Sequence, residues 1–136
     1  MRRVALAALM LATAAPAAAR DDLGGNVPDY IEWLAENGGR PYPISGRCYS
    51  ACTLRIVSAG ARILPGAELG FHATSEWRGG PPNQHGYDHH PTIIAMRYPA
   101  LAAAAKPCYL NREVTPACRF DYSRLRSFGV VACRWR

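Results

Sequence analysis

Residues 1–19, MRRVALAALMLATAAPAAA, constrain the fold most, because they take no part in it. Two arginines, an Ala/Leu-rich apolar run and small residues at Ala17 and Ala19 form the pattern of a secretory signal with an A-x-A cleavage site. Pro16 interrupts the run and alanine is only weakly apolar, so export with cleavage before Arg20 is expected rather than anchoring. No later stretch suits a bilayer span, and no stable membrane insertion is expected after cleavage. Taking 19 residues from 136 leaves 117, enough for a single domain over 20–136 with one modest core. The expected destination is periplasmic or secreted, where disulfides are permitted.

The net charge of +6 includes Arg2 and Arg3; without them 14 Lys plus Arg stand against 10 Asp plus Glu, or +4. Lys106 is the only lysine, and the arginines are scattered singly rather than set in a stripe with interleaved aromatics. That lacks the electrostatic footprint of a nucleic-acid surface, and no nucleic-acid partner is expected. All five cysteines, Cys48, Cys52, Cys108, Cys118 and Cys133, lie after the leader. Cys108 and Cys118 bracket a loop containing Pro116 that closes easily and are the first expected pair. Cys48 and Cys52 either bridge each other or send one partner to Cys133. The C-x-x-C spacing of a redox pair or zinc ribbon is absent.

NVPDYIEWLAENGG reads as a helix, with Pro28 in its first turn, Asp29 and Glu32 near its positive end and Gly38 or Gly39 as the stop. Val27, Tyr30, Ile31 and Leu34 would form its apolar face. RPYPISG reads as a short edge strand, because Pro41 and Pro43 donate nothing to a ladder. A buried helix is expected from Ser50 to Ala59, ended by Gly60, then two strands, ARIL and ELGFH, joined by Pro65-Gly66. This order suits an α/β layered domain. TSEWRGGPPNQHGYDHHP reads as a polar loop, TIIAMRYPALAAAA as helical apart from Pro99, and the tail after Lys106 as irregular and tied by cysteines.

Ser50, at the start of the buried helix, and His72, at the end of a strand, are the residue types of a nucleophile and its general base. The N–H of Ala51 would point into such a site. Each also has a plainer reading, Ser50 as an N-cap and His72 as a strand histidine. The G-x-S-x-G elbow of the α/β-hydrolases is absent, since the nearest preceding glycine is Gly46. The segments LGGNV at 23–27, CYSACT at 48–53 and ARILPGAELGFH at 61–72 are together similar to the Clp protease/crotonase superfamily, and more closely to its exported bacterial members. The resemblance covers about fifty residues, from Gly24 to Thr74. It implies a partial, ββα-type layered domain with Ser50 as nucleophile, His72 as base, and the Ala51 N–H with the Gly24/Gly25 turn as oxyanion hole.

Family members carry a strand, helix and strand before the Gly-Gly turn, whereas here the leader runs almost directly into DDLGGNV. At least one βαβ unit is expected to be missing, and a partner chain, as in a homo-oligomer, would cover the exposed core. For the orienting acid, Asp88 and Asp121 are the candidates. In the cluster HGYDHH, residues 85–90, the adjacent His89 and His90 would point to opposite sides of an extended segment; a solvated loop is expected there, and no metal site. Two functions remain open. One is a serine hydrolase of peptide or ester bonds needing no cofactor; the other is a catalytically inactive, shortened relative with a structural or binding role in the bacterial envelope.

Overall fold

The computed structural model describes residues 20–73, 84–110 and 118–133 of the chain, and residues 1–19, expected to be a leader, lie outside them. Helix α1 spans Val27–Asn37, with proline in its first turn and Gly38 at its C-cap. Val27, Tyr30 and Leu34 pack on the core as expected, but Ile31 is 42% exposed. Trp33 meets Tyr42 edge-on with ring centroids 4.8 Å apart.

Two strand–strand–helix units follow. The first comprises β1 (Tyr42–Ile44), β2 (Arg47–Tyr49) and a 3₁₀ helix (Ser50–Val57). The second comprises β3 (Ala61–Ile63), β4 (Glu68–Phe71) and α2 (Gln84–Arg97). β1 pairs in parallel with β3, Tyr42 opposite Ala61, and β2 in parallel with β4, Arg47 opposite Glu68. Each unit therefore contributes its first strand to one small sheet and its second to another. Helix α3 (Pro99–Leu110), strand β5 (Cys118–Asp121) and helix α4 (Tyr122–Ser127) complete the described chain. β5 pairs antiparallel with the other edge of β4. The mixed α/β content expected from the element order is present, as helices with two small sheets.

Several local expectations are corrected. β2 was unforeseen, since three residues between Gly46 and a helix carry almost no periodic signal. The helix after it is 3₁₀ rather than α and stops at Val57. Gly60 does not end that helix; a Cβ there would lie 1.8 Å from the Arg40 carbonyl, so the residue is small because two chain segments cross. HGYDHHP, expected as loop, belongs to α2 despite Pro91. His90, Ile94 and Tyr98 recur at helical spacing and are all buried, and packing of that stripe outweighs the local breakers. The tail, expected as irregular, contributes the end of α3, β5 and α4 among the described residues, with the Cys108–Cys118 disulfide joining α3 to the sheet, where Phe120 is buried.

The core is continuous. Ile44 and Ile63 come from the first sheet, Leu69 and Phe71 from the second, and Leu54 and Leu101 from the helices over them. Cys48 and Cys52 also pair, with Cα atoms 5.3 Å apart, leaving Cys133 as the free cysteine among the described residues. Among those residues no helix is long and apolar enough to cross a membrane.

Candidate functional site

Strand register gathers the site. Asp22 bridges Cys48 in parallel, and Cys48 in turn pairs with Leu69. Three segments therefore run side by side in one direction, and just past their paired residues stand Gly24, Ser50 and His72. The ends of parallel strands are where α/β folds present their polar chemistry.

Ser50 has φ 57°, the left-handed region, and it is the single such non-glycine residue among the described ones. For an L-residue this costs about 1–2 kcal/mol, so surrounding bonds must hold it. The Cys48–Cys52 disulfide spans the kink, and Thr53 Oγ1 donates to the Ser50 carbonyl at 2.7 Å. Gly24 closes the other side. Its own φ is 83°, and a Cβ there would fall 2.7 Å from Ser50 Cβ and 3.0 Å from Ala51 N, closer than side-chain atoms pack. Only glycine fits.

Ala51 follows the kink in the first turn of the 3₁₀ helix, where backbone N–H groups have no intrahelical acceptor. Such an N–H, with the partial positive charge of a helix N-terminus, suits an oxyanion. The two glycines are not equivalent: the Gly24 N–H donates to Asp22 Oδ1 at 3.0 Å, whereas the Gly25 N–H has no acceptor among the described residues. Of the two, the Gly24 N–H is therefore already engaged.

His72 is partly buried, and its Nδ1 lies 2.6 Å from the carbonyl oxygen of Ala73. A carbonyl only accepts, so Nδ1 carries the proton and Nε2 is left bare, the tautomer a general base needs. Burial lowers the imidazole pKa and favours the neutral ring, against the opposing effect of the Ala73 carbonyl. No hydrogen bond joins His72 to Ser50 among the described residues. Asp121 does not stand beside His72: it pairs opposite Glu68 at the other end of β4, where its carboxylate caps α4 by accepting from Arg124 N at 2.8 Å. Asp88 lies in α2, and its side chain is outside the described residues. Among the described residues, the hydrogen-bond partner of His72 is a main-chain carbonyl.

Sequence reasoning missed Asp22. One carboxylate oxygen accepts from Gly24 N–H and, at 2.7 Å, from Tyr30 Oη; the other accepts from Arg55 Nη1 at 2.8 Å. The Arg55 guanidinium in turn sits about 5 Å over the rings of Tyr30, Trp33 and Tyr42. Asp22 thereby ties the Gly-Gly turn to α1 and to the 3₁₀ helix. The signal was an aspartate two residues before glycine, the spacing at which an Asx side chain bonds its own backbone.

His90 was also misread. It is 1% exposed, with Nε2 2.7 Å from Thr53 Oγ1 and its ring against Phe71 and Tyr109. The adjacent His89 is exposed, and no group of three or more metal-ligating side chains forms among the described residues. Comparison with protein-family models, with curated proteins and with solved structures gives no match for this chain.

Proposed function

We propose that the chain is an exported serine hydrolase of the Clp protease/crotonase type, periplasmic or secreted, acting on peptide or ester bonds without a cofactor. The observation that carries this reading is Ser50 itself: a strained left-handed serine at the head of a helix, backed by a glycine no larger residue can replace. Strain of this kind persists where a side chain must be presented, and an N-cap serine has no need of it. The succession of strand–strand–helix units, feeding two sheets in turn, supports the fold assignment. Two disulfides among the described residues fit an oxidising compartment.

In the proposed reaction Ser50 Oγ attacks the acyl carbonyl while His72 Nε2 takes its proton, then delivers it to the leaving group. The N–H groups of Ala51 and Gly25 hold the oxyanion, and the Ala73 carbonyl does the orienting that a carboxylate does in a triad. The reaction requires a Ser50–His72 hydrogen bond to form when substrate enters, since catalytic bonds that are long or misaligned in unliganded enzymes close in the complex. A second reading, an inactive relative with a binding or structural role, is favoured by the absence, among the described residues, of a Ser50–His72 hydrogen bond and of a carboxylate bonded to His72. Hydrolysis of an activated p-nitrophenyl ester by the oxidised protein separates the two. Turnover abolished by Ser50→Ala supports the hydrolase; turnover equal in that variant removes it.

A further inference from the structure

Thr53 and His90 belong to one hydrogen-bonded chain that ends on the Ser50 carbonyl. Thr53 Oγ1 has a single proton, and it goes to Ser50 O at 2.7 Å, because a carbonyl can only accept. The same oxygen lies 2.7 Å from His90 Nε2. With the hydroxyl proton already committed, Nε2 must carry hydrogen and donate. Burial keeps the ring neutral, so with Nε2 protonated Nδ1 is bare, and Nδ1 has no hydrogen-bond partner among the described residues.

Both side chains are almost completely shut off from solvent, so water does not compete for either bond. The chain crosses from α2 to the 3₁₀ helix and grips the one residue there whose backbone is strained. His90 also packs against Phe71, the residue before His72, so a single imidazole braces the elements carrying both candidate catalytic groups. Burial keeps His90 neutral to low pH, which preserves the donor pattern across the physiological range.

Resting on the hydrolase reading above, we propose that Thr53 and His90 are positioning residues for Ser50, the His90 Nε2–H···Thr53 Oγ1–H···O=C Ser50 chain fixing the angle at which Oγ is presented. The test joins two measurements on the oxidised protein and its Thr53→Val and Thr53→Ser variants: long-range ¹H–¹⁵N correlation of the imidazole nitrogens, and the rate at which a fluorophosphonate derivatises Ser50. His90 is expected to show a protonated Nε2 and a bare Nδ1. Thr53→Val, which keeps the shape but not the hydroxyl, should react about 100-fold more slowly, and Thr53→Ser should recover most of the loss.

A folded Thr53→Val variant reacting at the wild-type rate overturns the positioning role alone. A wild type that does not react at all removes the hydrolase reading, and the positioning role with it. Should Thr53→Val fail to fold, the wild-type spectrum decides: protonation at Nδ1 overturns the chain, and protonation at Nε2 upholds it.

Discussion

Replacing Gly24 by alanine separates backbone strain from steric conflict at the site, because Gly66 provides a matched control. Gly24 and Gly66 have nearly the same φ, 83° and 87°, so alanine at either costs about 1–2 kcal/mol in the left-handed region. The reduced freedom of the unfolded chain offsets part of this equally in both variants. Around Gly66 nothing lies within 4 Å of a new Cβ, whereas at Gly24 it would meet the Tyr49 carbonyl oxygen at 2.6 Å, Ser50 Cβ at 2.7 Å and Ala51 N at 3.0 Å. Carbon contacts are comfortable near 3.5–4.0 Å, and these neighbours are backbone or fixed to it, so no rotamer relieves the overlap. Overpacking of this sort adds about 1–3 kcal/mol. Gly24→Ala should therefore lose about 1–3 kcal/mol more than Gly66→Ala in urea unfolding. It should also lose fluorophosphonate reactivity, because relief requires the turn to move off Ser50 and Ala51. Equal midpoints and equal reactivity for the two variants would refute the reasoning.

Other perturbations follow from the same geometry. Cys48–Cys52 closes only a short loop and its removal should cost about 2 kcal/mol, while removing Cys108–Cys118, with ten residues of separation, should cost about 3 kcal/mol, read from unfolding midpoints of paired alanine variants. His90 has its pKa driven down to about 3, by burial first and the neighbouring His72 second, while the unfolded chain titrates near 6.5. The unfolded state thus binds the proton the native state rejects. Stability is whole above about pH 6.5 and falls by up to about 1.4 kcal/mol per pH unit as the pH drops toward 3. His90→Gln should flatten that slope in unfolding curves measured across this range. Asp22→Ala leaves the Gly24 N–H, the Tyr30 hydroxyl and Arg55 without their acceptor and should destabilise by about 2–4 kcal/mol. Asp21→Ala, which breaks an exposed pair with Arg47, should be far milder by the same assay.

The parts of this fold that the sequence made legible are those whose signals are local. The proline, acidic first turn and glycine stop of α1 are each visible in a dozen residues, and Cys108–Cys118 follows from a ten-residue spacing. What stayed hidden depended on distant partners. Three residues at 47–49 become a strand only because residues 68–70 lie alongside them. Residues 84–91 look like a polar loop until the buried stripe of α2 finds the 3₁₀ helix, whereas 92–97 already read as helical, and His90 looks like a loop histidine until Thr53 meets it. At the site, Ser50, His72 and the glycines were visible as residue types in a spaced pattern. The left-handed backbone of Ser50, the engagement of the Gly24 N–H by Asp22 and the carbonyl that sets the His72 tautomer are properties of three dimensions. Of the two aspartates the sequence offered to orient His72, Asp121 caps α4 instead, and the bond His72 makes among the described residues goes to a backbone carbonyl, which a sequence does not display.

The central claim is that Ser50 is an activated nucleophile, and covalent labelling tests it most directly. Oxidised protein treated with a fluorophosphonate should gain the mass of one adduct, mapped to the peptide containing Ser50, and the gain should vanish in both Ser50→Ala and His72→Ala. A folded wild-type protein that gains no adduct, or gains it at a residue other than Ser50, would contradict the claim.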